Sequence, residues 1–341
     1  MVKRLIAMVV VCFIIVIVSG ISVYASEKPI VLRYGSMFPP KHGYSLADTE
    51  FLNMIEKKSN GQVKFKTYFA NTLTTLREAY RDIQKGSADL AYFSASYSKA
   101  GFPIQRRITG FYHGITDPQV RLKIFLEIIK KYPEYAKEFT KIKPIGCAVG
   151  LHYALLSTKP LRTIDDMKGL QFKATGTYIA ILNALGVVGQ NLPMADVYIS
   201  LQKGLIDGAM APKETLKSRR LAEVIKSVAD SPIITGAYYS RGMNLDVWNK
   251  LPSDVQKLFD DNMIYWGELL DIRARERDQE GIDLAKEHGV EFYKFSKADL
   301  ERFNSVIEKT CIKLAKDLDD KGLPGTAIYK DIRSMAKQHG F

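Results

Sequence analysis

Few residues in this 341-residue chain are of a type and spacing to do chemistry, and those few are scattered. The five histidines stand at 42, 113, 152, 288 and 339, with no His-Glu-x-x-His among them. Cys147 and Cys311 lie too far apart in sequence for a metal knuckle, and they can form either one bridge or two buried thiols. There is no Cys-x-x-Cys, no Gly-x-Ser-x-Gly, no Walker loop and no Gly-x-Gly-x-x-Gly. The pairs Asp165-Asp166 and Asp260-Asp261 fall at helix starts or on polar faces, where capping and solvation explain them. The expectation is a binding protein with no catalytic residue, no metal and no cofactor. An exported α/β enzyme, or a ligand-sensing partner of a membrane receptor, remains the alternative, because a constellation assembled in space is invisible in one chain.

The elements that would position a binding site are announced by a repeat. Gln84-Lys85-Gly86-Ser87-Ala88-Asp89-Leu90-Ala91 recurs as Gln202-Lys203-Gly204-Leu205-Ile206-Asp207-Gly208-Ala209. Each copy reads as a helix end with a left-handed Gly, a turn with Asp, and a buried strand. Two lobes are therefore expected, with Tyr92-Phe93-Ser94 and Met210-Ala211-Pro212 facing each other across a cleft. Around the first copy the order is strand (30–34), helix (Ser45 to Gly61, opened by a capping box through Asp48), strand (63–69), helix, strand, an α/β layer with a largely parallel sheet. Residues 118–131 read as an amphipathic helix, and 145–156 as a strand pair or extended crossing. A second α/β series opens at Thr163 with a short capped helix ended by Gly169, and a long helix runs from Ser253 to about Lys286. Its charge alternation from Asp271 to Glu280 reads as a solvated face.

The chain opens with Lys3-Arg4, an apolar run from Leu5 to Val18 and the small-residue site Val23-Tyr24-Ala25, the form of a signal peptide (1–25) cleaved after Ala25. An uncleaved anchor over Leu5 to Val23 is the other reading. Without Lys3 and Arg4 the chain keeps 47 basic against 37 acidic residues, a net charge of +10. That excess is spread in pairs such as Lys57-Lys58, Arg106-Arg107 and Arg219-Arg220, unlike the concentrated stripe that binds nucleic acid. A mild attraction for anionic solutes fits better, and no nucleic-acid partner is expected.

The run Pro160-Leu161-Arg162-Thr163-Ile164-Asp165-Asp166-Met167-Lys168-Gly169-Leu170-Gln171-Phe172-Lys173-Ala174-Thr175-Gly176 resembles the central signature of the solute-binding proteins of TRAP (tripartite ATP-independent periplasmic) transporters. Ala184-Leu185-Gly186, Leu192 to Tyr198, Leu201 to Gly208 and Met243 to Pro252 follow in that family's order, as do Ser59 to Val63 and Ala70 to Leu73 earlier in the chain. The resemblance implies an α/β, two-lobed periplasmic-binding-protein-like fold with a hinge and a long helix spanning both lobes. It implies lobe I at 27–150 plus about 238–278, and lobe II at 151–237 plus about 279–341. It also implies a monomeric periplasmic receptor that closes on a small organic acid and hands it to integral-membrane TRAP subunits.

In that family the strand at Phe172-Lys173 presents an Arg that grips the substrate carboxylate bidentately; Lys173 keeps the charge and loses the planar fork. Many relatives carry an Asn where Ala211 stands before Pro212, and Ala211 cannot hydrogen-bond a ligand. By block position Phe38, Phe93, Ser94, Tyr153, Met194 and Tyr238 fall at the cleft, with Thr175 and Glu214 flanking the two altered anchors, and His152 is the one histidine singled out, beside Tyr153 at the entry to the second lobe. Aromatic rings with one cation imply a carboxylate with an apolar or aromatic body. Arg106, Arg107 and Arg241 are the alternative anchors should Lys173 not serve.

Overall fold

A computed structural model describes residues 28–98, 101–150 and 152–341. The signal segment with its alternative reading as an anchor, and Cys12 within it, lie outside the described residues. The core of the architecture is two sheets. One has the order β2 (Val63–Tyr68), β1 (Ile30–Gly35), β3 (Leu90–Tyr92), β10 (Ala237–Met243), β4 (Lys143–Val149). The other runs β11 (Glu291–Tyr293), β9 (Ser227–Ile234), β5 (His152–Ser157), β8 (Gly208–Ala211), β6 (Gln171–Ala174), β7 (Val188–Asn191).

Each sheet is mixed where a largely parallel one is expected. β1 pairs parallel with β2 and β3, but β10 runs antiparallel to β3 and β4. In the second sheet β6 pairs parallel with β7 and β8, while β5 is antiparallel to β8 and β9. The antiparallel members are the strands that cross between sheets. The chain leaves β4 and enters β5 of the other sheet, then returns from β9 into β10, so the expected crossing at 145–156 is one of two.

The repeat occupies equivalent places in the two sheets. Gly86 and Gly204 both sit left-handed, at φ 73° and 68°, just past the helices Ala79–Lys85 and Met194–Gln202. Asp89 accepts from the backbone N–H of Arg33 on β1 at 2.7 Å, and Asp207 from that of Gln171 on β6 at 2.9 Å. The backbone carbonyls of these two aspartates accept from Asn244 and Thr158 at 2.8 and 2.9 Å. Each Asp thus fixes a neighbouring parallel strand as well as its own turn, a local device used twice.

The helix Gly43–Lys58 starts earlier than the capping-box reading places it. The His42 ring nitrogen Nδ1 accepts from the Tyr44 amide at 3.0 Å and so fills the capping role. Asp48 is freed for a fully buried ion pair with Arg241, 2.9 Å away. Phe51 stacks on Trp266 at 4.0 Å between ring centres, tying this helix to the long helix Ser253–Glu287. That long helix packs on the Gly43–Lys58 helix and β4 at one end and on the Thr215–Ser218 turn near the other. Gly281 allows the second contact, because a Cβ there would lie 2.3 Å from the Lys213 carbonyl oxygen.

The alternating charges on the long helix pair as Arg275–Asp271, Arg273–Glu276 and Arg277–Glu280. Asp278 departs from the solvated reading: it accepts from the Glu214 amide at 2.7 Å, and burial pushes its carboxyl up to about 6. Two further helices, Lys297–Asp319 and Gly325–Gln338, pack on each other, the last also against Pro118–Lys131. Cys147 and Cys311 are free and fully buried, 0% exposed.

Candidate functional site

Between the sheets lies a cavity of about 100 Å³, lined from both. β3 and β10 bring Tyr92 and Tyr238, the loop after β1 brings Phe38 and His42, and the first helical turn brings Tyr44. From the other side come Tyr153 on β5, Lys173 on β6, Met194 at a helix start, Met210 on β8, and Glu214 and Arg219 around the turn that follows.

The aromatic wall is braced from behind. The Phe38 ring centre lies 4.3 Å from His42, 5.1 Å from Tyr44 and 4.9 Å from Tyr92. The Arg241 guanidinium carbon sits 5.5 Å from the Tyr44 ring centre, 5.0 Å from Tyr92 and 5.6 Å from Trp266. Burial pulls that guanidinium down, but the Asp48 charge together with Tyr34, Tyr92 and Tyr44 outweighs it, so Arg241 is raised and stays charged. Burial pushes the Tyr92, Tyr153 and Tyr238 phenols up, so each keeps its proton.

The electrostatics at the cavity are uneven. Glu214 is 3% exposed and reaches across to His42, Oε1 to Nε2 at 3.2 Å, while its Oε2 has no hydrogen-bond partner. Burial pushes the Glu214 carboxyl up, but His42, Ser218 and Arg219 outweigh it and hold it below the usual range. Lys173 is 5% exposed, and neither its ammonium nor the Arg219 guanidinium hydrogen-bonds or ion-pairs with a described residue. Burial also draws the Arg219 guanidinium down, against Glu214 and Tyr97, which hold it up. Two cations therefore face one cavity with no bonded anion, a costly arrangement that an incoming carboxylate would relieve.

Of the residues expected at the cleft, Lys173, Phe38, Tyr153, Met194, Glu214 and Tyr238 line this cavity. Phe93 does not: it is 0% exposed and packs among Phe102, Phe139 and Tyr80. Ala211 is 1% exposed and pairs with Ala154 in a core cluster. In the repeat, Phe93 and Ala211 are equivalent positions, and so are their neighbours Tyr92 and Met210, which do face the cavity. Successive residues of a strand point to opposite faces, so a one-residue choice exchanges wall for core. Ser94 and Thr175 are buried outside the lining, and exposed His152 lies in another pocket with its Nε2 2.5 Å from the Ser231 carbonyl oxygen. Arg106 donates to the carbonyls of Ala95 and Ser98, and Arg241 is committed to Asp48. Arg107 is not part of the lining. Tyr92 was expected at the cleft only as part of the segment 92–94, while His42, Tyr44 and Arg219, with Met37, Leu76, Tyr97 and Thr215, line the cavity without having been placed there from the sequence.

The face assignment has a direct test. Tyr92→Leu is expected to weaken ligand binding about fivefold or more, while Phe93→Leu costs about 1 kcal/mol of stability and leaves affinity in place. Urea denaturation and calorimetric titration of the two variants separate these outcomes.

Among the described residues no group of three or more His, Cys, Asp or Glu is placed to hold a metal ion, and no helix is long and apolar enough to cross a membrane. The family described as bacterial extracellular solute-binding protein, family 7, matches residues 34–317. A C4-dicarboxylate-binding periplasmic protein of Rhodobacter capsulatus is 24% identical over 84% of this chain and 87% of its own length. A TRAP periplasmic solute-binding protein of Desulfovibrio salexigens is 25% identical with a TM-score of 0.77, covering 91% of this chain and 97% of the other. A TRAP solute-binding protein of Rhodoferax ferrireducens, solved with copurified benzoate, superposes with a TM-score of 0.82 at 21% identity over 91% and 98% of the two chains.

Proposed function

The chain belongs to the bacterial extracellular solute-binding proteins of family 7, and from that premise we propose that it captures a small organic monocarboxylate with an apolar or aromatic body for a TRAP membrane transporter. The observation that carries the ligand class is the pairing of two unbonded cations, Lys173 and Arg219, with a wall of Phe38, Tyr44, Tyr92, Tyr153 and Tyr238. The cations hold the carboxylate, and the rings enclose the body that cannot hydrogen-bond. Glu214 opposes a second carboxylate, because a like charge in the same enclosed space is repelled.

The mechanism is binding without turnover. Lobe I, 27–150 plus about 238–278, and lobe II, 151–237 plus about 279–341, close about the strand crossings, and the ligand's higher affinity for the closed form sets the population shift. The leader is cleaved after Ala25, and the mature monomer works in the periplasm with separate integral-membrane subunits.

The expected outcome is that mass spectrometry of ligand released from denatured purified protein identifies an unaltered aromatic or branched monocarboxylate. A thermal-shift panel should rank such acids above sugar acids and C4-dicarboxylates, with shifts that grow with concentration. Tighter binding of a sugar acid or a C4-dicarboxylate than of every monocarboxylate tested would overturn the ligand class, and a chemically altered product in excess over protein would overturn binding without turnover.

A further inference from the structure

Another cation is buried away from the cleft, where the chain crosses between the sheets. Arg121, on the helix Pro118–Lys131, is 5% exposed. Its Nη1 donates to the Gly150 carbonyl at 2.5 Å and to the Thr235 carbonyl at 2.6 Å. Those carbonyls belong to the two crossings, β4 to β5 and β9 to β10. The crossings touch each other, since the Gly150 amide donates to the Gly236 carbonyl at 3.2 Å. Arg121 therefore ties together both segments that must bend if the sheets move relative to one another.

The rest of the guanidinium is not matched. Its Nε is buried without a hydrogen-bond partner, and no described carboxylate ion-pairs with it. Asp230 lines the same pocket but is bound to Lys213 at 2.6 Å. Burial pulls Arg121 down to about 10, and the more distant charges of Asp271 and Asp117, which hold it up, do not offset it. The pocket it lines has a volume of about 540 Å³, with Lys294, Thr116, Ser231 and Asn304 as further polar groups and Phe295 and Leu300 as apolar wall. None of these residues lines the cavity between the sheets.

We propose that this pocket is a second, hinge-side binding site for a small oxyanion, a carboxylate or a phosphate, held by Arg121 and Lys294, whose occupancy stiffens the two crossings. The charge supplies what the buried guanidinium lacks, and Thr116 and Asn304 offer hydrogen bonds around it, the Ser231 hydroxyl being already donated to the Tyr153 carbonyl. An anion held there keeps Arg121 in place against Gly150 and Thr235. The site stands independently of what the cleft binds.

The test uses the full mature protein with inorganic phosphate and acetate as separate probes at constant ionic strength, followed by thermal shift and by amide hydrogen exchange. A saturable rise in melting temperature with at least one probe, with slower exchange at Gly150 and Gly236, is expected; which probe acts identifies the oxyanion. Lys294→Met should weaken that response about two- to fivefold, and Arg121→Lys about tenfold or more, because an ammonium cannot bond both carbonyls and the anion as a planar fork does. Lys173→Met should leave the phosphate response unchanged, and with acetate the part of the response that Lys173→Met keeps is the one that Lys294→Met should weaken. No saturable response to either probe would overturn the proposal, as would a response lost in Lys173→Met but kept in Lys294→Met, which places the anion in the cleft. Binding without slower exchange at the crossings would overturn the link to the hinge. Should Arg121→Lys not fold, the Lys294→Met and Lys173→Met comparison decides alone.

Discussion

Lys173→Met is expected to weaken binding of the carboxylate ligand by roughly 2–4 kcal/mol, about thirty- to nine-hundred-fold in Kd. Its ammonium is buried and bonded to nothing in the described structure, so its role is left for whatever enters the cavity. Removing it would leave the ligand carboxylate desolvated against Met, with Arg219 as the remaining cation. Met retains most of the stem that packs on β6 between β7 and β8, so folding survives. The ligand-free variant should be at least as stable as the parent, since a buried unpaired charge costs stability and its removal returns that cost. Calorimetric titration with the acid recovered from the protein, beside urea denaturation without it, checks both halves. Unchanged affinity together with a large loss in Arg219→Met would move the anchor to Arg219. Arg241 is not a candidate, because its charge is already matched by Asp48.

The contrast between Arg219 and Arg220 shows why part of this site was closed to sequence reading. As a pair they read as spread surface charge, and for Arg220 that holds: it pairs with Glu223 at 2.7 Å from a left-handed backbone, φ 57°. Arg219 turns the other way into the cavity, a fate decided by a backbone torsion rather than by composition. His42 was equally opaque, since its partner Glu214 lies 172 positions on. The bilobal plan, by contrast, was legible because it is written locally twice: Gly, then Asp, then a strand, with each Asp bonding a parallel neighbour. The same repeat held the answer to the Tyr92 and Phe93 choice, for the position equivalent to Tyr92 is Met210, and both face the cleft. What it lacked was the phase of the pleat in so short a strand. The helix Lys297–Asp319 and the crossing strands β9 and β10 also went unread. β10 runs antiparallel to both its neighbours, and β9 is antiparallel to β5 but parallel to β11; these pairings are set by the crossings of the chain between the sheets rather than by any local period.

Asp48→Ala is expected to cost about 3–5 kcal/mol of stability, because it leaves a fully buried guanidinium without its counter-charge. The carboxylate also accepts from Tyr34 Oη at 2.5 Å, Arg241 Nε at 3.0 Å and Trp266 Nε1 at 3.0 Å, so three buried donors lose their acceptor together. The consequence reaches the cleft. Arg241 lies over the rings of Tyr44 and Tyr92, which line the cavity, and a guanidinium released from Asp48 no longer fixes their planes. Affinity should therefore fall along with stability, although Asp48 itself does not line the cavity. The double variant Asp48→Ala/Arg241→Met separates the two effects. It removes the stranded charge, and should regain a large part of the lost stability while leaving the tyrosines unbraced and the affinity low. Urea midpoints for the parent, both single variants and the double variant give the coupling between the pair. A loss below about 1 kcal/mol in Asp48→Ala would show that water reaches Arg241 and that the pair does not brace the aromatic wall.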